Sequence, residues 1–283
     1  MRIDKLLKDK QTVSFEFFPP KESAQEAVLF DTITKLAPFN PDFVSITYGA
    51  GGSTAHKTFN WTLKLKNEYK LNPVMHLTCY GNDLHSLHDI CGKVTDNGID
   101  NLMALRGDPP QDAAQSLKSN FRYANELVEF ISDNSPGLCV GVAGYPEKHT
   151  QAVSMSADIE NMKRKLDAGG TFIITQLFFD NVFFYRYLDK LAQSGINVPV
   201  IAGIMPIVSY GQIVRFTQMC GATLPPALVK KLEKAGNADT AKIGEEHAVM
   251  QSRELLAHGA GGLHYYTLNR YPSTFNVLKQ LDK

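Results

Sequence analysis

Glu16 sits in the stretch VSFEFFPP, a lone carboxylate among Phe15, Phe17 and Phe18. In a strand, successive side chains point to opposite faces. Val13, Phe15 and Phe17 therefore share one face, and Ser14, Glu16 and Phe18 the other. The larger apolar set belongs against a helix layer, which turns Glu16 inward near the strand's C-terminal end. The same parity pairs Ser45 with Thr47, His76 with Thr78, and Arg106 with Asp108, and isolates Gln176 in an apolar run. An acid, an imidazole, a guanidinium and an amide gathered at strand ends could move protons and orient a polar ligand. Any one of them, Thr47 or Gln176 above all, is more simply a satisfied strand-end residue. As a buried set they would be costly unless they bind something.

The elements that must position these groups alternate along the chain. Apolar runs at 13–18, 43–48, 74–79, 102–106, 138–143, 172–178, 198–204 and 263–268 read as strands. Amphipathic stretches read as helices at 23–36, from about 53, from about 83, and at 121–131, 157–166, 182–191, 211–219 and 275–281. Residues 225–258 read as extra helix inserted before the last strand. Eight such units predict an α/β fold, a (β/α)8 TIM barrel, as a single domain over 1–283. The competing architecture is an open doubly wound sheet, which normally begins with a Gly-rich turn. The first turn here, FFPPKES, has no glycine.

Three further segments carry chemistry. TYGAGGST places Gly49, Gly51 and Gly52 after the second strand, as either a tight turn or a loop closing on phosphates. LRGDPPQ repeats the first strand's pattern of an acid followed by two prolines. SADIENMKRKLDAGG reads as a helix capped by Ser156, with Ile159, Met162 and Leu166 as its apolar stripe. Asp158, Asn161, Arg164 and Lys165 share another face, either solvated or binding a ribose and diphosphate, and Tyr145 and His149 could join them. With 29 basic and 29 acidic residues the net charge is zero, which argues against a general nucleic-acid or membrane-surface binder. No run approaches the roughly 18 apolar residues of a membrane span, and the N-terminus lacks a signal-peptide core. Cys79, Cys91, Cys139 and Cys220 lie far apart and read as reduced apolar residues in a cytoplasmic chain. No HExxH metal motif and no GxSxG nucleophile motif is present.

Taken in order, SFEFFPP, SITYGAGGST, LRGDPP, GVAGYPEKH, DIENMKRKLDAG, ITQLFFD, GIMPI, RFTQMCGATLP and HYYTLNR resemble the bacterial type of methylenetetrahydrofolate reductase over almost the whole chain. The resemblance implies a barrel that binds FAD, takes a hydride from NADH or NADPH, and reduces 5,10-methylenetetrahydrofolate to 5-methyltetrahydrofolate in a ping-pong cycle, supplying methyl groups for methionine synthesis. It implies Glu16 as general acid and Asp108 near the flavin. Thr47, Tyr48, Ala50, His76, Arg106, Gly107, Asp108, Ala124, Tyr145, His149, Asp158, Asn161, Arg164 and Lys165 would line the FAD. Gln176, Gln212, Phe216 and Arg270 would contact substrates. It also implies a cytoplasmic homo-oligomer, no metal, and no C-terminal regulatory domain. An unperturbed glutamate, with a pKa of about 4.3, is ionised at neutral pH, so burial among the phenylalanines is expected to raise it. Two rivals remain at this level: a barrel flavoenzyme oxidising an amine such as proline, and a flavin or folate carrier.

Overall fold

Eight parallel strands close on one another in chain order: β1 (Thr12–Phe17), β2 (Phe43–Ile46), β3 (Pro73–Thr78), β4 (Asn101–Leu105), β5 (Cys139–Gly144), β6 (Phe172–Thr175), β7 (Val200–Ile204) and β8 (Gly262–Tyr266). The computed structural model describes residues 1–20, 22–49, 55–108 and 119–281. Its helices are α1 (Ile3–Asp9), α2 (Ser23–Leu36), α3 (Ala55–Asn67), α4 (Leu84–Asp96), α5 (Ala124–Asn134), α6 (Met155–Asp167), α7 (Asn181–Gln193), α8 (Tyr210–Cys220), α9 (Pro226–Lys234), α10 (Asn237–Ala257) and α11 (Tyr271–Gln280). The closed parallel barrel with alternating helices is the fold expected from the sequence pattern.

Strand parity builds two apolar layers. Val13, Phe15, Phe17, Val44, Ile46, Met75, Leu77, Leu102, Ala104, Val140 and Val142 face outward onto the helices. Phe43, Val74, Met103, Cys139, Phe172, Ile174 and Ile201 face inward and fill the barrel. Gly141 makes room for this filling, since a Cβ there would lie 2.4 Å from Phe172 Cζ. Below them Ile3 of α1 packs into the same cluster. Its backbone N–H donates to Asn101 Oδ1 at 2.9 Å, so α1 closes the mouth formed by the strands' N-terminal ends. Sequence periodicity predicts no helix here, because a 7-residue helix is too short for its pattern to stand out.

The segment at 225–258 is two helices rather than one. Its longer member, α10, packs against β7, β8, α7 and α11, which is the ring position between the last two strands. The expected ring helix, α8, instead lies with α9 at the rim. Ile213 and Phe216 of α8 pack there with Leu177, Phe179, Met205, Leu228 and Leu232. α8 therefore belongs to the face where strands end, the usual location of a barrel's site.

Candidate active site at the C-terminal rim

The strand register places Glu16 level with Ser45 on one side and Tyr266 on the other, and Ser14 level with His264. These residues form a buried polar layer above the apolar filling. Glu16 Oε2 lies 3.5 Å from His76 Nε2 and 3.6 Å from His264 Nε2. Ser45 Oγ donates to the same oxygen at 3.4 Å, and His264 Nδ1 meets Ser14 Oγ at 2.8 Å. The His264 ring stacks on Phe43. His76 Nε2 is buried and makes no hydrogen bond, and burial holds that imidazole's pKa below its ordinary value.

These contacts correct the expected titration of Glu16. Phe15 and Phe17 point outward into the helix layer, and Phe18 is exposed. The carboxylate's own neighbours are two imidazoles and a hydroxyl. Burial pushes its pKa up, but the hydrogen bond and charge of His264, the charge of His76 and the Ser45 hydroxyl together bring it below the ordinary value. Glu16 thus sits in a proton-sharing cluster rather than an apolar sleeve.

β4 departs from the expected parity. Asn101, Met103 and Leu105 face inward, so Arg106 turns outward and Asp108 is exposed. The inward place expected for Arg106 is supplied by His264 of β8, fully buried and absent from the sequence-based set. Alternation in HYY, with Leu263 and Tyr265 facing out, carried the signal.

Arg106 instead lines a cleft of about 660 Å³ beside the strand ends, together with Tyr80, Arg122, Tyr123, Ala124, Tyr145, His149, Gln151, Asp158, Asn161, Arg164 and Lys165. Tyr80, Arg122 and Gln151 were not in the sequence-based set; they come from loops whose conformation no periodicity predicts. Arg106 Nη1 donates to Gln151 Oε1 at 2.6 Å. Gly107 adopts φ +78°, and a Cβ there would stand 3.0 Å from Thr78 Cβ, so the turn after β4 needs glycine.

α6 begins at Met155, and Ser154, rather than Ser156, caps it by accepting from the Ala157 N–H at 3.1 Å. This sets Asp158, Asn161, Arg164 and Lys165 along the cleft. Asp158 Oδ2 accepts the His149 N–H at 3.0 Å. The Gln151 N–H donates to His149 Nδ1 at 3.1 Å, so the neutral ring carries its hydrogen on Nε2. Burial lowers that imidazole's pKa as well. Lys165 donates to the Ala143 carbonyl at 2.6 Å, and burial brings its pKa down to about 8. Among the described lining residues, three arginines and Lys165 face one carboxylate, Asp158. A cleft with that balance, and with Tyr123 and Tyr145 as flat apolar surfaces, suits an extended polyanion bearing aromatic rings.

The remaining expected site residues divide. Ala124 opens α5 at the cleft edge. The charge of Asp108 acts on Tyr145 and His149. Thr47 is half-buried, and its carbonyl accepts from Thr58 Oγ1 at 2.9 Å. Tyr48 turns into the outer core and donates to Asn82 Oδ1 at 3.2 Å, away from the cleft. Ala50, the rest of the glycine loop at 51–54 and Pro109–Pro110 lie outside the described residues. Gln176 is half-buried at the end of β6 and accepts from the Leu177 N–H at 2.9 Å. Gln212 and Phe216 lie on α8, and Arg270 is exposed at the start of α11. These four sit on the rim but not in the walls of the cleft.

The family model of methylenetetrahydrofolate reductase matches residues 2–282. A curated relative named methylenetetrahydrofolate reductase (NADH) 1, from Arabidopsis thaliana, is 36% identical over 95% of this chain and 48% of its own length. The Escherichia coli protein named 5,10-methylenetetrahydrofolate reductase is 34% identical over 95% of this chain and 90% of its own. The chain thus spans about half the length of its plant relative. Among solved structures, a Clostridium thermocellum protein described as binding two copies of 5-methyl-5,6,7,8-tetrahydrofolic acid superposes with a TM-score of 0.68 over 97% of this chain and 95% of its own. At 16% identity it shows a shared fold. With a family match running from one end of the barrel to the other, the chain belongs to the methylenetetrahydrofolate reductase family.

Proposed function

We propose that this chain is the catalytic barrel of a flavoprotein that reduces 5,10-methylenetetrahydrofolate to 5-methyltetrahydrofolate with NADH or NADPH, consistent with the enzyme names of its relatives. The observation that carries the reading is a cationic cleft beside a buried carboxylate–imidazole cluster on one rim. FAD fits the cleft's donor set, and when bound would supply the hydride relay between the two substrates. Arg106, Arg164 and Lys165 would hold its diphosphate, Asp158 and Asn161 its hydroxyls, and His149 would offer Nε2–H as a donor. Tyr123 and Ala124 would form the wall at one end.

Glu16 is the proton donor in this reading. Opening the folate's five-membered ring needs a proton on the departing N10 nitrogen, and a side chain at the inner rim can deliver it. The two imidazoles and Ser45 decide how readily Glu16 holds that proton. Because Glu16 is acidified while its histidines are buried, the cluster shares protons rather than leaving one on an isolated acid. Asp108, with its negative charge on the rim, would oppose charge build-up on reduced flavin and favour hydride donation onward. Gln176, Gln212, Phe216 and Arg270 would bind the alternating substrates from the α8 side.

The test is an absorbance series on the purified protein. A flavin spectrum that is bleached by anaerobic NADH and restored by 5,10-methylenetetrahydrofolate is the expected result. A colourless protein that does not take up FAD, or a reduced flavin that the folate fails to reoxidise, would overturn the proposal. Reoxidation by proline's imine product instead would move the chain to amine chemistry.

A further inference from the structure

Two of the segments that carry the family resemblance, GVAGYPEKH and RFTQMCGATLP, meet in space through a contact that no role above uses. Glu147 lies in the loop after β5, between Tyr145 and His149. Its two carboxylate oxygens accept one backbone donor, the Thr223 N–H, at 3.0 and 3.1 Å across 76 residues of sequence. Thr223 lies just beyond the C-terminus of α8. The helix ends there on Gly221, at φ +76°, whose N–H donates to the Thr217 carbonyl at 2.8 Å. A Cβ on Gly221 would stand 3.0 Å from Thr150 Cγ2, so the helix end is held close against the β5 loop.

The β5-loop side of the contact is firm on its own. The β5 loop is fastened by Lys148, whose Nζ donates to the His149 and Ala152 carbonyls at 3.0 and 2.7 Å. α8 buries Ile213 and Thr217 and packs Phe216 and Cys220 on the rim cluster, while Met219 on its last turn is exposed and faces away from that packing. A carboxylate beside a helix C-terminus meets the negative end of the helix dipole. Burial and the charge of Asp180 push its pKa up as well. An anion in that position is electrostatically unfavourable and is explained by the specific bond it makes.

We propose that Glu147 is a positioning residue: by gripping Thr223 it fixes α8, with Gln212 and Phe216, relative to the β5 loop that carries Tyr145 and His149. The proposal rests on the functional reading above for its kinetic consequence, and on the contact alone for its structural one. Glu147 is not among the residues lining the cleft. Its loss would let the α8 end move away from the loop, which loosens substrate binding and leaves proton delivery untouched.

The experiment compares Glu147→Ala, Glu147→Asp and Glu147→Gln with the parent chain. Hydrogen exchange of residues 210–221 in the cofactor-free protein reads the clamp directly. The Ala variant, and the Asp variant whose shorter reach misses Thr223, are expected to exchange about tenfold faster in the last turn of α8. In the flavin-loaded protein both should raise KM for NADH and for the folate by about tenfold with kcat nearly unchanged. Glu147→Gln keeps an acceptor at the same reach and should restore parental values. Parental exchange and KM in the shortened variants, or an equal loss in Glu147→Gln, would overturn the proposal. If the Ala variant fails to fold, the Asp variant decides. If the parent neither holds flavin nor turns over folate, the functional reading falls while the exchange data still judge the clamp.

Discussion

Glu16→Gln separates the acid from every other feature of the rim. The amide keeps the shape of the side chain and an acceptor for Ser45 Oγ, now 3.4 Å from Oε2. It removes the negative charge facing His76 and His264 and, with it, the group that would take up and pass on a proton. Leaving His76 beside a neutral amide exposes no buried charge there, because burial already favours its neutral form. The fold should therefore survive. A positioned general acid contributes roughly 10²–10⁴ in rate, so folate reduction should fall by at least about 100-fold, or about 2.7 kcal/mol of barrier. Stopped-flow reduction of the bound flavin by NADH, which needs no proton from Glu16, should stay within about twofold of the parent. The decisive measurement is the ratio of the two half-reactions in one preparation. Folate reduction at the parental rate would refute Glu16 as the donor. An equal loss in both half-reactions would refute the separation of acid and cofactor cleft.

Other predictions follow from the same contacts. Burial brings the Lys165 pKa down to about 8. FAD affinity, followed by flavin fluorescence, should fall as pH rises through that value and should fall less in Lys165→Arg, which stays charged. Stability should carry the signature of the acid cluster. Glu16 and His76 both have folded pKa values below their ordinary ones of 4.5 and 6.5. Each contributes stability present above that ordinary value and lost as pH falls toward the folded one. Thermal melts of the parent should therefore decline with acid below about pH 6.5 more steeply than those of His76→Phe. Gly107→Ala must take a left-handed backbone and push on Thr78, so it should lower stability by about 1–2 kcal/mol in urea titration. Gly203→Ala would place a Cβ 2.3 Å from the Thr175 carbonyl and 2.8 Å from Tyr266 Cε2, and should either fail to fold or lose about 1–3 kcal/mol.

Parity was readable wherever a strand is buried on both faces and its two sets of side chains differ. It placed Glu16, Ser45 and His76 on the inner face of β1, β2 and β3. It failed on β4, where Arg106 was assigned inward because it is polar. Leu105 holds the inner place, and Arg106 finds its partners across the outer cleft, in a loop the sequence does not describe. His264 escapes a search for polar strand ends because it sits in the middle of its strand, and only the outward Leu263 and Tyr265 reveal its inward face. The titration of Glu16 was misjudged for a related reason. Neighbours in sequence stood in for neighbours in space, and alternation sends adjacent phenylalanines to the opposite face. The exchange of roles between α8 and α10 depends on which apolar stripe finds the barrel wall, a tertiary choice that two helices of similar pattern leave open.

The acid's network also straddles the seam of the barrel. Ser14 and Glu16 come from the first strand and His264 from the last, and the Ser14–His264 contact spans 250 residues. During synthesis the chain can present β1 through β7, with the arginines and Lys165 of the cleft, well before β8 emerges. Until β8 pairs with both β7 and β1, Glu16 has neither its second imidazole nor the wall that dries it. In the proposed mechanism, proton transfer is thus tied to the pairing of the first strand with the last, among the longest-range contacts in the fold and costly in loop-closure entropy. Nascent or misassembled barrels could bind flavin without being able to reduce folate, so competence would mark completed closure of the ring.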